Sequence, residues 1–499
     1  MVAKETHPKG RNFFMNTSAF GKSVAVTLAL AMSVAMYGCN ATNESTEATT
    51  AAASSSQTTE TKYLTKDDIT VNETKENSAD GEHAITADGE TASYSDLAVK
   101  KTGNSSGDEA DFYGENAAIF ATNKATLDLK GILVETNGEH ANGVFSYGEG
   151  TTVNVSDSVI ETTGNCSGGL MTTGGGTMNA TNLTIHTTGN SSAAIRSDRG
   201  GGTVVVNKGS YTTDGTGSPV IYSTADITVS DAKMESTASQ GVVVEGKNSV
   251  TLNNVDLTAS NTTKNSDKSD YYQAVMIYQS MSGDADEGTS SFTMNGGKLT
   301  NKNGDIFFVN NTTTTIDLSK ATIVNQDEDG IFLRACAAGW GSEGSNGGQV
   351  TLNASSQTID GDMVVDKVST LNLLMSSSST FTGAINQDGA AGDVYVELKD
   401  GATWKLTGDS YITSLTCDAD SIDLNGHKLY VGGKEYSAGT ASTGEKVTAK
   451  ATTSSKGKGG SGSEHGTPPE KPGSGSGSHG NGGTPPSKPG SKSSDSTAA

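Results

Sequence analysis

The sequence predicts an all-β fold, a right-handed parallel β-helix with about 25 residues and three short strands in each coil. Three observations point there. Only 33% of the residues are hydrophobic and 62 are glycine, yet Val, Ile and Leu recur in short groups set between Gly and Asn, as strands between tight turns do. The segments NAAIFATNKATLDLKGILVETNG, ANGVFSYGEGTTVNVSDSVIETTG, SGGLMTTGGGTMNATNLTIHTTG and SAAIRSDRGGGTVVVNKGSYTTDG follow one another, with Gly138, Gly164, Gly189 and Gly215 at one turn in steps of 26, 25 and 26 residues. Each unit also holds three apolar pieces, such as VFS, TVNV and SVIET. A single coil cannot bury its own inner face. Stacking coils about 4.8 Å apart pairs every strand with those above and below, and the narrow interior takes one aliphatic file per face. The repeated TTGN and GGGT then read as corners, where Gly or Asn takes positive φ and like side chains stack.

In chain order, residues 1–38 carry Lys4, Lys9, Arg11 and Lys22, then the apolar run VAVTLALAMSVAM, and close on Gly38-Cys39. That pattern is a secretory leader, and cleavage before Cys39 makes this cysteine the lipidated first residue of a bacterial lipoprotein. A plain secretory leader is the alternative. No later run is apolar for long enough to cross a bilayer, so the lipid is the expected membrane anchor. Residues 39–62, mostly Thr, Ser, Ala and Glu, form a flexible tether. The β-helix with its end caps spans 63–444 and begins with YLTKDDITVNETKE. Its repeat continues through SPVIYSTADITVSDAKMEST, GVVVEGKNSVTLNNVDLTAS and later segments, about eleven coils and roughly 50 Å in all. Insertions at 261–273, SMSGDADEGTS and AAGWGSEGSNGGQ read as surface loops. Asn425-Gly426 in IDLNGHKLYVGGKEY signals a hairpin that closes the far end. Residues 445–499, rich in Gly, Ser, Pro and Lys, are a disordered tail, either a spacer or a contact with wall polymer.

The formal net charge of −23 and the presence of only four arginines argue against nucleic acid or an anionic lipid surface as partner. Cys166, Cys336 and Cys417 are an odd, widely spaced set without a C-x-x-C pair, which reads as buried free thiols rather than a disulfide framework or a zinc site.

The repeat over residues 116–415, with phrases such as TTGGGTMNA and IRSDRGGGTVVV, resembles the β-helix proteins of the pectate-lyase-like superfamily. It is most similar to the exported bacterial lipoproteins of adhesin-like or carbohydrate-binding type. The resemblance implies an extracellular polysaccharide or a surface partner, on a fold that hosts many functions. Polygalacturonase-like members would bring Gly-His-Gly and Arg-x-Lys motifs, and neither occurs. Lyase-like members would bring calcium ligands and a basic residue that takes a proton beside a uronic carboxylate. Arg196, with Asp198 and Arg199 in RSDRGGG, is the one candidate for that base; an ion pair at a turn is the other reading.

The candidate binding site is a column. Ile119, Val144, Leu170, Ile195 and Ile221 share one position in successive first strands and are expected to point inward. The next position, Phe120, Phe145, Met171, Arg196 and Tyr222, then points outward. At coil spacing such a strip suits stacking on sugar rings, and Tyr271, Tyr272, Tyr278 and Trp340 extend it. Alternatively, an inserted loop such as GNSSGDEADFYGE covers the column and makes a second small core. Calcium is the one cofactor in view: NQDEDG (325–330) matches half an EF-hand loop, offering Asp327 and Asp329, although position twelve is Cys336. DADEG is similarly partial, and solvated acidic turns are the favoured reading of both. The expectation is a cell-surface lipoprotein that binds a glycan or surface partner without catalysis. A calcium-dependent polysaccharide lyase or hydrolase, and a structural spacer without a ligand, are the alternatives.

Overall fold

The structure, a computed structural model, describes residues 62–454 apart from 265 and 390; the leader, Cys39, the tether up to 61 and the tail beyond 454 lie outside the described residues. Short strands, among them Ile119–Thr122, Val144–Tyr147, Leu170–Thr173, Ile195–Ser197 and Ile221–Ser223, stack in parallel in a sheet of eleven. Long strands such as Thr126–Thr136, Thr152–Thr162 and Gly176–Thr187 alternate with them. Each long strand bends at one left-handed residue: Gly131, Asp157, Asn182, Lys208 and Asp231 have φ of 62, 50, 54, 63 and 55°. The bend splits it in two, so a coil has three faces, the arrangement of a parallel β-helix. Side chains lock this corner from coil to coil. Asn182 Nδ2 donates to Asp157 Oδ1 at 2.9 Å, and Asn254 Nδ2 to Asp231 Oδ1 at 2.7 Å.

The inward file is as expected. Ile119, Val144, Leu170, Ile195 and Ile221 are in register and buried. Val242, Val275, Phe307, Leu333 and Met363 continue it. Later coils also admit rings: Phe307 lies between Phe292 and Phe332, each 5.5 Å away, and Phe381 stacks on Trp404 at 5.4 Å. The aliphatic interior predicted for the whole rod is therefore broken by rings, once in the first half at Tyr211 and mostly in the later coils.

The corners refine the expectation. In GGGT, the positive φ is present: Gly174 and Gly175 at 61 and 87°, Gly200 and Gly201 at 86 and 61°. The glycine of TTGN has a different reason. None of Gly138, Gly164, Gly189 and Gly215 is among the left-handed residues; a Cβ on any of them would fall on the carbonyl oxygen of the glycine one coil below. Backbones here approach too closely for any side chain. The left-handed residue comes two positions later, at His140, Cys166 and Ser191 (φ 54, 55 and 56°), and Gly217. Stacked asparagines bridge the coils, Asn165 Oδ1 accepting from Asn190 N and Asn190 Oδ1 from Thr216 N, both at 3.0 Å. Inside, Ser167 N donates to Ser192 Oγ and Ser192 N to Ser218 Oγ, both at 2.9 Å.

The ends depart from expectation. Residues 62–68 do not cap the rod but run over its outer side, where Lys66 pairs with Glu135 at 2.7 Å and Glu161 at 2.5 Å, and Thr184 Oγ1 donates to Leu64 O. The rod begins at Glu73–Asn77, parallel to the second half of Thr91–Lys101. Asn425 and Gly426 do take the left-handed turn. The strands beside that turn, however, pair with the coil below, Ile422–Asp423 with Trp404-Lys405 and Leu429–Val431 with Ser410–Ile412. The hairpin lies at Gly432-Gly433, joining Leu429–Val431 to Lys434–Glu435. Past 444 the chain turns back along the rod as far as 454: Asn372 exchanges two hydrogen bonds with the Val447 backbone, and Thr453 N donates to Asn311 Oδ1.

Candidate functional site

Register places the predicted column where the sequence put it. Phe120, Phe145, Met171, Arg196 and Tyr222 are neighbours on successive strands, followed by Val243, Met276, Phe308 and Arg334. Its exposure differs. The helix Asp108–Tyr113, formed by DEADFY in the predicted covering loop, lies over the first part, and Phe120, Phe145 and Met171 join Ala117, Tyr147 and Tyr113 in a second small core. Phe145 is fully buried. Over the later part, the insertions around 262–272 and 337–346 bury Val243, Met276, Tyr278, Phe308, Cys336 and Trp340 together, with Tyr222 at the margin. Tyr278 and Trp340 meet edge to face at 5.1 Å. The open strip is thus corrected to two covered cores. The roughly 150–250 Å² that an aromatic side chain can bury is more stable against a lid than in water, which is why the loops close over it.

Between the two lids the polar residues pair with each other. Arg196 donates to Asp198 Oδ2 at 2.7 Å, both largely buried, and Arg199 reaches Asp284 at 2.8 Å and Asp108 at 3.3 Å while stacking over Phe112 at 3.8 Å. RSDR therefore ties one insertion to the other. Burial raises the Asp198 carboxyl against the pull of Arg196; burial disfavours the Arg196 charge too, but the Asp198 and Asp111 carboxylates outweigh it and keep Arg196 protonated, the opposite of what a proton-abstracting base requires. Glu245 is buried and accepts from the hydroxyls of Tyr222, Tyr278 (3.0 Å) and Ser280. Tyr271 covers Arg334, which pairs with Asp305 at 2.6 Å.

The acidic turns are likewise engaged. Asp327 accepts Gly304 N on Oδ2 at 2.6 Å and Asp329 N on Oδ1 at 3.0 Å. Asp284 is held by Arg199 and Asp286 by Lys247 at 2.7 Å. Asp327 shapes a turn with both oxygens, and among the described residues Asp329 belongs to no group of three or more clustered His, Cys, Asp or Glu ligands.

Two features were not read from the sequence. A groove of about 360 Å³ crosses the outer side of the middle face in the C-terminal half. Asp317, Asn353, Leu374 and Glu397, one from each of four successive strands, run along it, with Met375 and Lys399 beside them. Asn353 donates to Asp317 at 2.7 Å, and Glu397 takes Tyr395 OH at 2.8 Å and Lys399 at 2.9 Å. Burial raises the Glu397 carboxyl, but Lys399 and Tyr395 outweigh it and leave it below its ordinary value. The second feature gathers Asp111, His140 and Cys166, whose ligand-capable atoms all lie within 4.8 Å of one another. The Asp111 carboxylate and then the Cys166 thiol push the His140 imidazole up to about 9. The sequence did hold a signal for this group: His140 and Cys166 are the same corner position in consecutive repeats.

No family model, no curated protein and no solved structure matches the chain.

Proposed function

We propose that this is an exported, lipid-anchored surface protein whose β-helix binds an extracellular glycan, or a partner displaying one, without catalysis. The groove along Asp317, Asn353, Leu374 and Glu397 is the observation that carries this reading. Its volume falls within the few hundred Å³ typical of small-molecule and sugar-sized sites. A half-buried aliphatic floor at Leu374 suits the apolar face of a sugar ring, and the flanking amide, carboxylates and ammonium match its hydroxyls. Coil spacing repeats these groups along the rod, as a polymer repeats its units. The leader sequence and Cys39 supply the case for the surface location.

Immobilised neutral and acidic polysaccharides, tested against the full-length protein, provide the check. Binding that falls at least about tenfold in Leu374→Arg, with an unchanged melting temperature, supports the reading. No binding across such a panel, or binding indifferent to Leu374→Arg, contradicts it.

A further inference from the structure

We propose that Asp111, His140 and Cys166 form a binding site for a borderline-soft divalent metal ion, zinc by ligand type, that fastens the Asp108–Tyr113 helix to the rod. The ligands come from both sides of that junction. His140 and Cys166 sit at the left-handed corner of two stacked coils, so that the 26-residue step in sequence becomes one strand spacing in space. Asp111 descends from the helix above them. The chelating atoms are mutually within 4.8 Å, a span that a single ion coordinated at about 2.0–2.3 Å bridges.

His140 Nδ1 carries an independent indication. It is buried and lies 3.0 Å from Asp111 Oδ1 as an ion-pair partner, without well-aligned hydrogen-bond geometry. The two atoms are close but not aimed at each other as donor and acceptor. A buried ring nitrogen with only a misaligned partner is poorly satisfied, and an ion shared with the carboxylate and the thiolate satisfies it better. One sulfur, one nitrogen and one oxygen ligand suit zinc or cobalt rather than calcium or magnesium, and leave a fourth position for water. Cys166 is a free thiol, half-buried at the corner, so it is available as a ligand. The site is independent of the groove.

Cobalt(II), added to chelator-treated full-length protein at about pH 8, where ligand protons are released readily, is the probe. The expected result is one ion per chain, a thiolate-to-cobalt charge-transfer band that zinc abolishes, and a raised melting temperature. Cys166→Ser should remove the band, and Asp111→Asn should weaken zinc binding at least about tenfold. Both variants should keep the far-ultraviolet circular dichroism of the parent, and hydrogen exchange in residues 104–116 should slow on zinc addition only in the parent. Absence of a thiolate band at stoichiometric cobalt, or a band that survives Cys166→Ser, overturns the proposal. Rapid alkylation of Cys166 that zinc does not slow also overturns it and marks a histidine-activated nucleophile instead.

Discussion

Replacing Phe145 by alanine separates a covered core from an open binding strip. Phe145 is fully buried, edge-on to Phe120 at 6.0 Å and beneath the helix Asp108–Tyr113. Truncating such a ring removes its transfer free energy and leaves a cavity that a lid of six residues fills poorly. The expected cost is about 3–5 kcal/mol. The comparison is Val205→Ala, because Val205 is 42% exposed on the outer side of the rod; that change should cost no more than about 0.5 kcal/mol. A stack of coils need not unfold in one step, so the assay should be local as well as global. Guanidinium unfolding gives the total, and hydrogen exchange over residues 104–116 reports the lid. Phe145→Ala should speed exchange there most, while residues 350–400 change little. A Phe145→Ala protein as stable as Val205→Ala, with unaltered exchange in 104–116, would refute the buried placement and restore the open strip.

Three further outcomes follow from the same structure. Gly164→Ala places a methyl on the Gly138 carbonyl oxygen, and the coils must part to admit it; a loss of about 3 kcal/mol in unfolding is expected, against about 1 kcal/mol if the glycine served only a positive φ. Asp327→Ala removes the acceptor of two backbone N–H groups and should cost about 1–2 kcal/mol equally with and without calcium; a loss seen only when calcium is present would make it a calcium ligand. Burial pushes the Cys336 thiol from 9.0 up to about 12. Its thiolate near neutral pH is thus about a thousandfold scarcer than in the unfolded chain, and alkylation of the folded protein should slow by at least that factor. Since the folded thiol titrates above the unfolded one, its contribution to stability is intact below about pH 9 and lost as the pH climbs towards 12. Cys336→Ala should flatten that alkaline loss.

The fold was legible because it repeats. Ile119 to Ile221 recur at one position of a unit that cannot bury itself alone, so their inward direction followed from stacking. The outward column followed from strand alternation for the same reason. Whether it was covered did not, because the lids are the parts that break the period. DEADFY folds over Phe120, and residues near 340 fold over Tyr278, through contacts that no local pattern announces. Gly164 shows a subtler limit: glycine was expected, but its cause is backbone approach between coils rather than φ. Asn425-Gly426 shows another, since the same left-handed turn makes a hairpin or a coil corner depending on what lies beside it. The Asp111, His140 and Cys166 group was hidden by reading motifs along the chain, where its members are far apart; reading down the coils brings two of them to one position.

The stacking itself is tested most directly by distances between spin labels along one outward row. Asp128, Thr293 and Glu397 belong to a single register column, Thr293 six strands and Glu397 ten strands beyond Asp128. At about 4.8 Å per coil, labels on Asp128 and Thr293 should lie about 29 Å apart, and those on Asp128 and Glu397 about 48 Å apart, each with a narrow distribution. Distances that do not grow in proportion to the number of intervening coils would contradict the β-helix and everything placed upon it.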